Sequence, residues 1–177
     1  MTNQKINKQD QTTLARIQLM HPKLRDEVSE IYKEICAALT GKAICRFSHT
    51  LRTFAEQDAL FAQGRTKLGA KVTNARAGQS YHNYGLAIDI VLLIDKDGNG
   101  SYEAASWDTT TDFDADRMAD WQEIVRIFKM HGWEWGGDWR FKDLPHFQKT
   151  MGYTIKQLQF LHANKKFVAA NSTYVQL

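Results

Sequence analysis

Cysteine and proline are nearly missing from this chain. Two cysteines, Cys36 and Cys45, among 177 residues cannot build the disulfide framework on which small secreted scaffolds depend. Each falls in a patterned segment where it reads as a small core residue, and a single bridge between them stays open. No apolar run approaches the roughly 20 residues of a membrane span, which argues against stable insertion. The start, from Met1 to Lys8, is polar and lacks the apolar stretch of a secretory leader. We therefore expect synthesis and folding in the cytoplasm; a target in the periplasm or cell wall would require release by a separate, holin-type pore. There is also no Lys/Arg block, and the aromatics are not interleaved with basic residues, which excludes a nucleic-acid partner. The net charge of +3 is mild and suits an anionic polymer such as a cell wall.

What remains is ordinary globular material: 43% hydrophobic and 24% charged residues, without repeats or low-complexity tracts. The length fits one domain spanning 1–177, without an appended wall-binding module and expected as a monomer. Residues 1–13 are polar and read as a loosely ordered lead. Beyond Pro22, the residues Leu24, Val28, Ile31, Ile35 and Leu39 recur at helical spacing, with Gly41 as a stop. Ala43 to Phe54 alternates like a strand, and Ala55 to Gln63 reads as a short helix. Gly64 to Gln79 is a glycine-rich basic loop, either lining a groove or merely connecting. Asp89 opens the apolar run Ile90 to Ile94, a buried strand closed by turn residues. Arg117 to His131 reads as a helix, and another follows Thr154. The short segment Thr173-Tyr174-Val175 could pair with the sheet. This irregular order predicts an α+β fold, a small antiparallel sheet with helices on its outer face.

The stretch that carries chemistry is Ser80-Tyr81-His82-Asn83-Tyr84-Gly85-Leu86-Ala87-Ile88-Asp89, with a second imidazole, His146, far downstream. Two His and one Asp make a three-ligand zinc set that leaves the fourth tetrahedral position open for water. Taken alone, His-x6-Asp fits a hydrogen-bonded structural histidine and a capping aspartate equally well. His49 reads as structural, and His21 as a surface or cap residue. Asp95-Lys96-Asp97-Gly98-Asn99-Gly100 hints at a Ca2+ loop, but its glycines are out of place and a hairpin turn explains it as well. The acidic run from Asp108 to Asp116 could hold a cation or cap the next helix.

Ser80-x-His82-x-x-Gly85-x-Ala87-x-Asp89, then Gly136-Gly137-Asp138-Trp139 and Asp143-x-Pro145-His146-Phe147, resemble the zinc D,D-/L,D-peptidase family of VanX- and VanY-type enzymes. Leu51-Arg52-Thr53-Phe54-x-Glu56-Gln57 and Gly64-Arg65-Thr66-x-x-Gly69-x-x-Val72-Thr73 extend the resemblance to about residues 20–153. It is nearest to phage-type endolysins that cut L-alanyl-D-glutamate bonds in peptidoglycan stem peptides. The resemblance implies zinc on His82, Asp89 and His146, with Asp143 as general base and Arg52 over the metal beside the substrate carbonyl. It also implies that Ser80 and Trp139 contact substrate. A carboxypeptidase of the same fold, or a catalytically silent wall-binding module, is the alternative.

Overall fold

The computed structural model describes residues 9–177, and the chain is built around its most apolar strand. In β2 (Ala87–Ile94) every residue but Asp89 is buried. Successive side chains in a strand leave opposite faces of the sheet. Ile88, Ile90, Leu92 and Ile94 enter the main core, whereas Val91 and Leu93 meet Ile44 beneath Tyr102 on the other face. Asp89 shares the parity of Val91 and Leu93, so its carboxylate leaves the sheet on the side away from the main core.

The sheet is five-stranded and antiparallel. β1 (Ala43–His49) runs along one edge of β2, while β3 (Ala104–Ser106) and β5 (His146–Gln148) share the other. β4 (Glu134–Trp135) adds outside β5. The register sets Asp89 opposite both His49 and His146. Helices α1 (Gln11–Ile17) and α2 (Arg25–Ala38) pack on β1, and α4 (Asp120–Met130) packs on α2. Phe128 of α4 reaches the sheet and stacks on Phe147, ring centroids 4.3 Å apart. Burying a side chain of that size is worth about 1.5–3 kcal/mol. The remaining helices, α3 (Phe54–Ala62) and α5 (Ile155–Ala163), each begin with a capping box, Thr53 with Glu56 and Thr154 with Gln157. The α+β architecture expected from the sequence is the one observed.

Several local expectations are corrected. The loose lead expected over residues 1–13 is shorter: residues 1–8 lie outside the described residues, but from Asp10 the chain is tied down. Asp10 caps α1 through the Thr13 amide and takes two hydrogen bonds from Arg46. Strand β1 ends at His49 and not Phe54, because a bulge follows Phe47 and Thr53 already caps α3. Helix α4 starts at Asp120 and not Arg117, whose φ of 85° is incompatible with a right-handed helix. Val175 does not join the sheet. It bridges Phe167, and its carbonyl meets the ring of His21, which caps a short 3-10 turn while fully buried. Cys36 and Cys45 form no disulfide.

Candidate active site

A 3-10 turn, Tyr81–Tyr84, delivers His82 to the face of β2 opposite the main core. Ser80 starts it, its hydroxyl accepting from the His82 amide, while Asn83 reaches back to accept from Ser80 N and Gly78 N. Gly85 ends it in the left-handed region at φ 69°, and a Cβ there would lie 2.7 Å from the His21 amide nitrogen. Both facts demand glycine.

Three atoms from three elements then converge. His82 Nε2 lies 3.1 Å from Asp89 Oδ1, His146 Nδ1 lies 3.1 Å from the same oxygen, and the two nitrogens are 3.3 Å apart. Their partners on the far side fix which nitrogen carries hydrogen. His82 Nδ1 donates to the Thr50 carbonyl at 2.7 Å, which can only accept. Gln148 donates its amide to Glu134, so its Oε1 is left to accept from His146 Nε2 at 3.1 Å. Both inward nitrogens therefore present lone pairs, and Asp89 adds a third. Nothing in the triangle can donate unless a proton enters, whereas a cation would accept all three lone pairs. Burial alone would raise the Asp89 carboxyl, but the two imidazoles outweigh it and hold it well below the usual carboxylate range. Burial opposes charge on His146, yet Asp89 overcomes it and raises that imidazole. The pocket thus favours positive charge at its centre.

The donor set fits zinc. A tetrahedral ion with ligands at about 2.0–2.1 Å spaces them about 3.3 Å apart, close to the separations observed. The other two metal-like clusters among the described residues are all-carboxylate and lie around α4.

The other expected site residues gather at one cleft of about 380 Å3, lined by Arg52, Ser80, Trp139 and Asp143 along with His82 and His146. Arg52 donates to the buried Gln57 and stands 3.6 Å from Asp89 Oδ2. The Trp139 ring lies 5.2 Å from that of His146. Asp143 is held by its own amide, which donates to the Gly136 carbonyl; a Cβ on Gly136 would fall 2.4 Å from the Asp143 carbonyl oxygen. Desolvation raises the Asp143 carboxyl above its usual range; His146 opposes this and Asp89 reinforces it. A raised carboxyl suits a group that must take up a proton.

Sequence reasoning missed some of this. His49 was read as structural but stands exposed on the cleft wall. The loop from Gly64 to Gln79 contributes Val72, Thr73 and Gln79 to the cleft. Its Arg65 is no free cation, because the Phe61 and Thr73 carbonyls and Asn74 hold it. Gln57, Asn83 and Gln148 went unassigned, although Gln57 lies within one of the family motifs. The Asp95 loop proves to be a turn: its carboxylate accepts from the amides of Gly98, Asn99 and Gly100.

The residues gathered at this cleft are those that the motif resemblance picked out. Residues 73–149 match the peptidase M15 profile described as D-alanyl-D-alanine carboxypeptidase. Among curated proteins, the chain is 54% identical over 98 residues to the peptidoglycan L-alanyl-D-glutamate endopeptidase CwlK of Bacillus subtilis (strain 168). That alignment spans 55% of each chain, so it covers little more than half of the relative. Among solved structures, the Serratia marcescens L-Ala D-Glu endopeptidase ChiX shares the fold with a TM-score of 0.51 at 22% identity. It covers 81% of this chain and 90% of its own.

Proposed function

We propose that this chain is a zinc-dependent peptidoglycan endopeptidase that cuts the L-Ala–D-Glu bond of stem peptides. The observation that carries the reading is the triangle of lone pairs from His82, Asp89 and His146, with an arginine and a raised carboxyl on the same cleft wall. The relative from Bacillus subtilis, named for that bond, supports the choice of substrate. Zinc held by these three residues would act as a Lewis acid and lower the pKa of water from about 15.7 to near 7.

The chain's own residues supply the rest. Asp143 accepts the proton of the attacking water and delivers it to the leaving amine nitrogen. Arg52, fixed by Gln57, places its charge where the carbonyl oxygen turns anionic. Ser80 holds the turn that aims His82, and Trp139 forms the wall beside His146 and limits water there. A second hollow shares His49, Arg52 and Leu60 with the cleft and continues it beyond Arg52. Such a groove accommodates chain on both sides of the scissile bond, as an endopeptidase needs. In this reading the enzyme acts as a lysis or export enzyme and reaches the wall through a separate pore.

Mass spectrometry of digested peptidoglycan tests the proposal. We expect new fragments that end in L-Ala and begin with D-Glu, abolished by chelation and restored by zinc. Asp143→Ala should retain zinc and lose at least about a hundredfold in turnover. Release of terminal D-Ala alone would favour instead the carboxypeptidase reading, which the description of the matched family profile supports. Binding without cleavage in zinc would reduce the chain to a wall-binding module.

A further inference from the structure

The run Asp112-Phe113-Asp114-Ala115-Asp116-Arg117-Met118-Ala119-Asp120-Trp121-Gln122-Glu123 leads into α4. Counting from Asp112, carboxylates stand at the first, third, fifth, ninth and twelfth positions, the side-chain ligand spacing of an EF-hand loop. The structure draws them together. Carboxylate oxygens of Asp112, Asp114 and Asp120 lie within 4.8 Å of one another, and so do those of Asp114, Asp116 and Glu123. Arg117 occupies the sixth position, where such loops carry glycine, and adopts the left-handed conformation at φ 85°.

An acidic cluster on a protein surface is commonplace. This one is different because two of its members are buried and incomplete. Asp120 is 0% and Glu123 3% exposed, yet Asp120 Oδ2 and Glu123 Oε2 have no hydrogen-bond partner. The other Asp120 oxygen accepts from the Phe113 amide, so the loop is already folded while the spare oxygens remain. Desolvation, followed by Asp116, Asp114 and Asp120, pushes the Glu123 carboxyl up to about 7. Among the described residues none of the five carboxylates is in an ion pair. A buried carboxylate oxygen left without partner is costly, and a cation among the five carboxylates is the partner that would satisfy both spare oxygens at once.

We propose that Asp112, Asp114, Asp116, Asp120 and Glu123 form a Ca2+ site, separate from the zinc triangle. The donors are all oxygen and number five residues, which suits a large hard cation and not zinc. Magnesium demands a tighter octahedron and keeps its waters, so it fits less well. The site is structural. The Thr40 amide and hydroxyl both donate to Asp114 Oδ2, each at 2.9 Å, so the ion ties the turn between α2 and β1 to the start of α4. Gly41 permits this, since a Cβ there would lie 2.4 Å from the Phe113 carbonyl oxygen. Helix α4 then carries Phe128 onto Phe147, the neighbour of His146 in β5.

The test is thermal unfolding and calorimetric titration of zinc-loaded protein dialysed free of calcium, with calcium chloride as the probe. We expect one calcium bound and a rise in Tm of about 5 °C or more once calcium exceeds Kd a hundredfold, with a smaller rise in equal magnesium. Glu123→Gln keeps the shape but loses the charge, and should weaken calcium binding at least tenfold while being no less stable than wild type without calcium. Asp112→Asn should likewise weaken binding, whereas Asp95→Asn should leave it unchanged. No calcium response in the wild type, or an undiminished one in Glu123→Gln and Asp112→Asn, overturns the proposal. Loss of the response in Asp95→Asn would overturn its location.

Discussion

Gln148 does for His146 what the Thr50 carbonyl does for His82: it occupies the outer ring nitrogen so that the inner one presents a lone pair. Outer partners of this kind typically alter metal affinity by 10- to 100-fold when removed. Gln148→Leu should therefore weaken zinc binding by about that factor while the fold persists, measured by competition with a chromogenic chelator. Unchanged affinity would mean that the tautomer of His146 is set by something else. The convergence of the three inner residues could be anticipated in the sequence because two imidazoles and a carboxylate stand in the spacing of the resembled peptidase motifs. Their orienting partners could not. Thr50 acts through its backbone carbonyl, which no side chain advertises. Gln148 acts only because β4 and β5 pair Glu134 opposite it, a register fixed by the fold.

At the level of elements, strong periodicity was readable and edges were not. The apolar stripe of α2 and the unbroken run in β2 stand out because they bury a face. The start of α1 stayed hidden because Asp10 works through Arg46, Thr13 and Tyr32, residues distant in sequence or helical themselves. Burial alone would raise Asp10, but bonds from Arg46 and Thr13 outweigh it and lower its carboxyl below the ordinary 3.8. A carboxyl lowered by folding adds stability above its unfolded pKa, and that contribution is lost as pH falls through the folded value. Asp10→Asn, which retains a capping oxygen, should thus unfold at lower temperature than wild type at pH 7. The gap should narrow as pH drops below about 4. Melting curves across pH 2–7 would show this, and a constant gap would assign the loss to packing instead.

Across the whole molecule, the His82–Asp89–His146 triangle joins β2 and the adjoining turn at Tyr81–Tyr84 to β5, which a long excursion of chain separates from them. A ligand that binds only the folded state stabilises it by mass action. Removing zinc should therefore lower Tm on the order of 10 °C where free zinc exceeds Kd a thousandfold, as read by scanning calorimetry with and without chelator. Identical melting would exclude zinc as a resident ion. The sheet's alternation has a further effect. Asp89 lies between Ile88 and Ile90, both fully buried on the opposite face. Sliding β2 by one residue against its neighbours would push a carboxylate under the helices and turn isoleucines out to water. The strand behaves like a reading frame: the error that would destroy the chemistry is also the one the core rejects during folding. Molecules that reach the native state with a misaligned metal pocket should consequently be rare, and inactive protein should arise by losing the ion, not by mispairing the sheet.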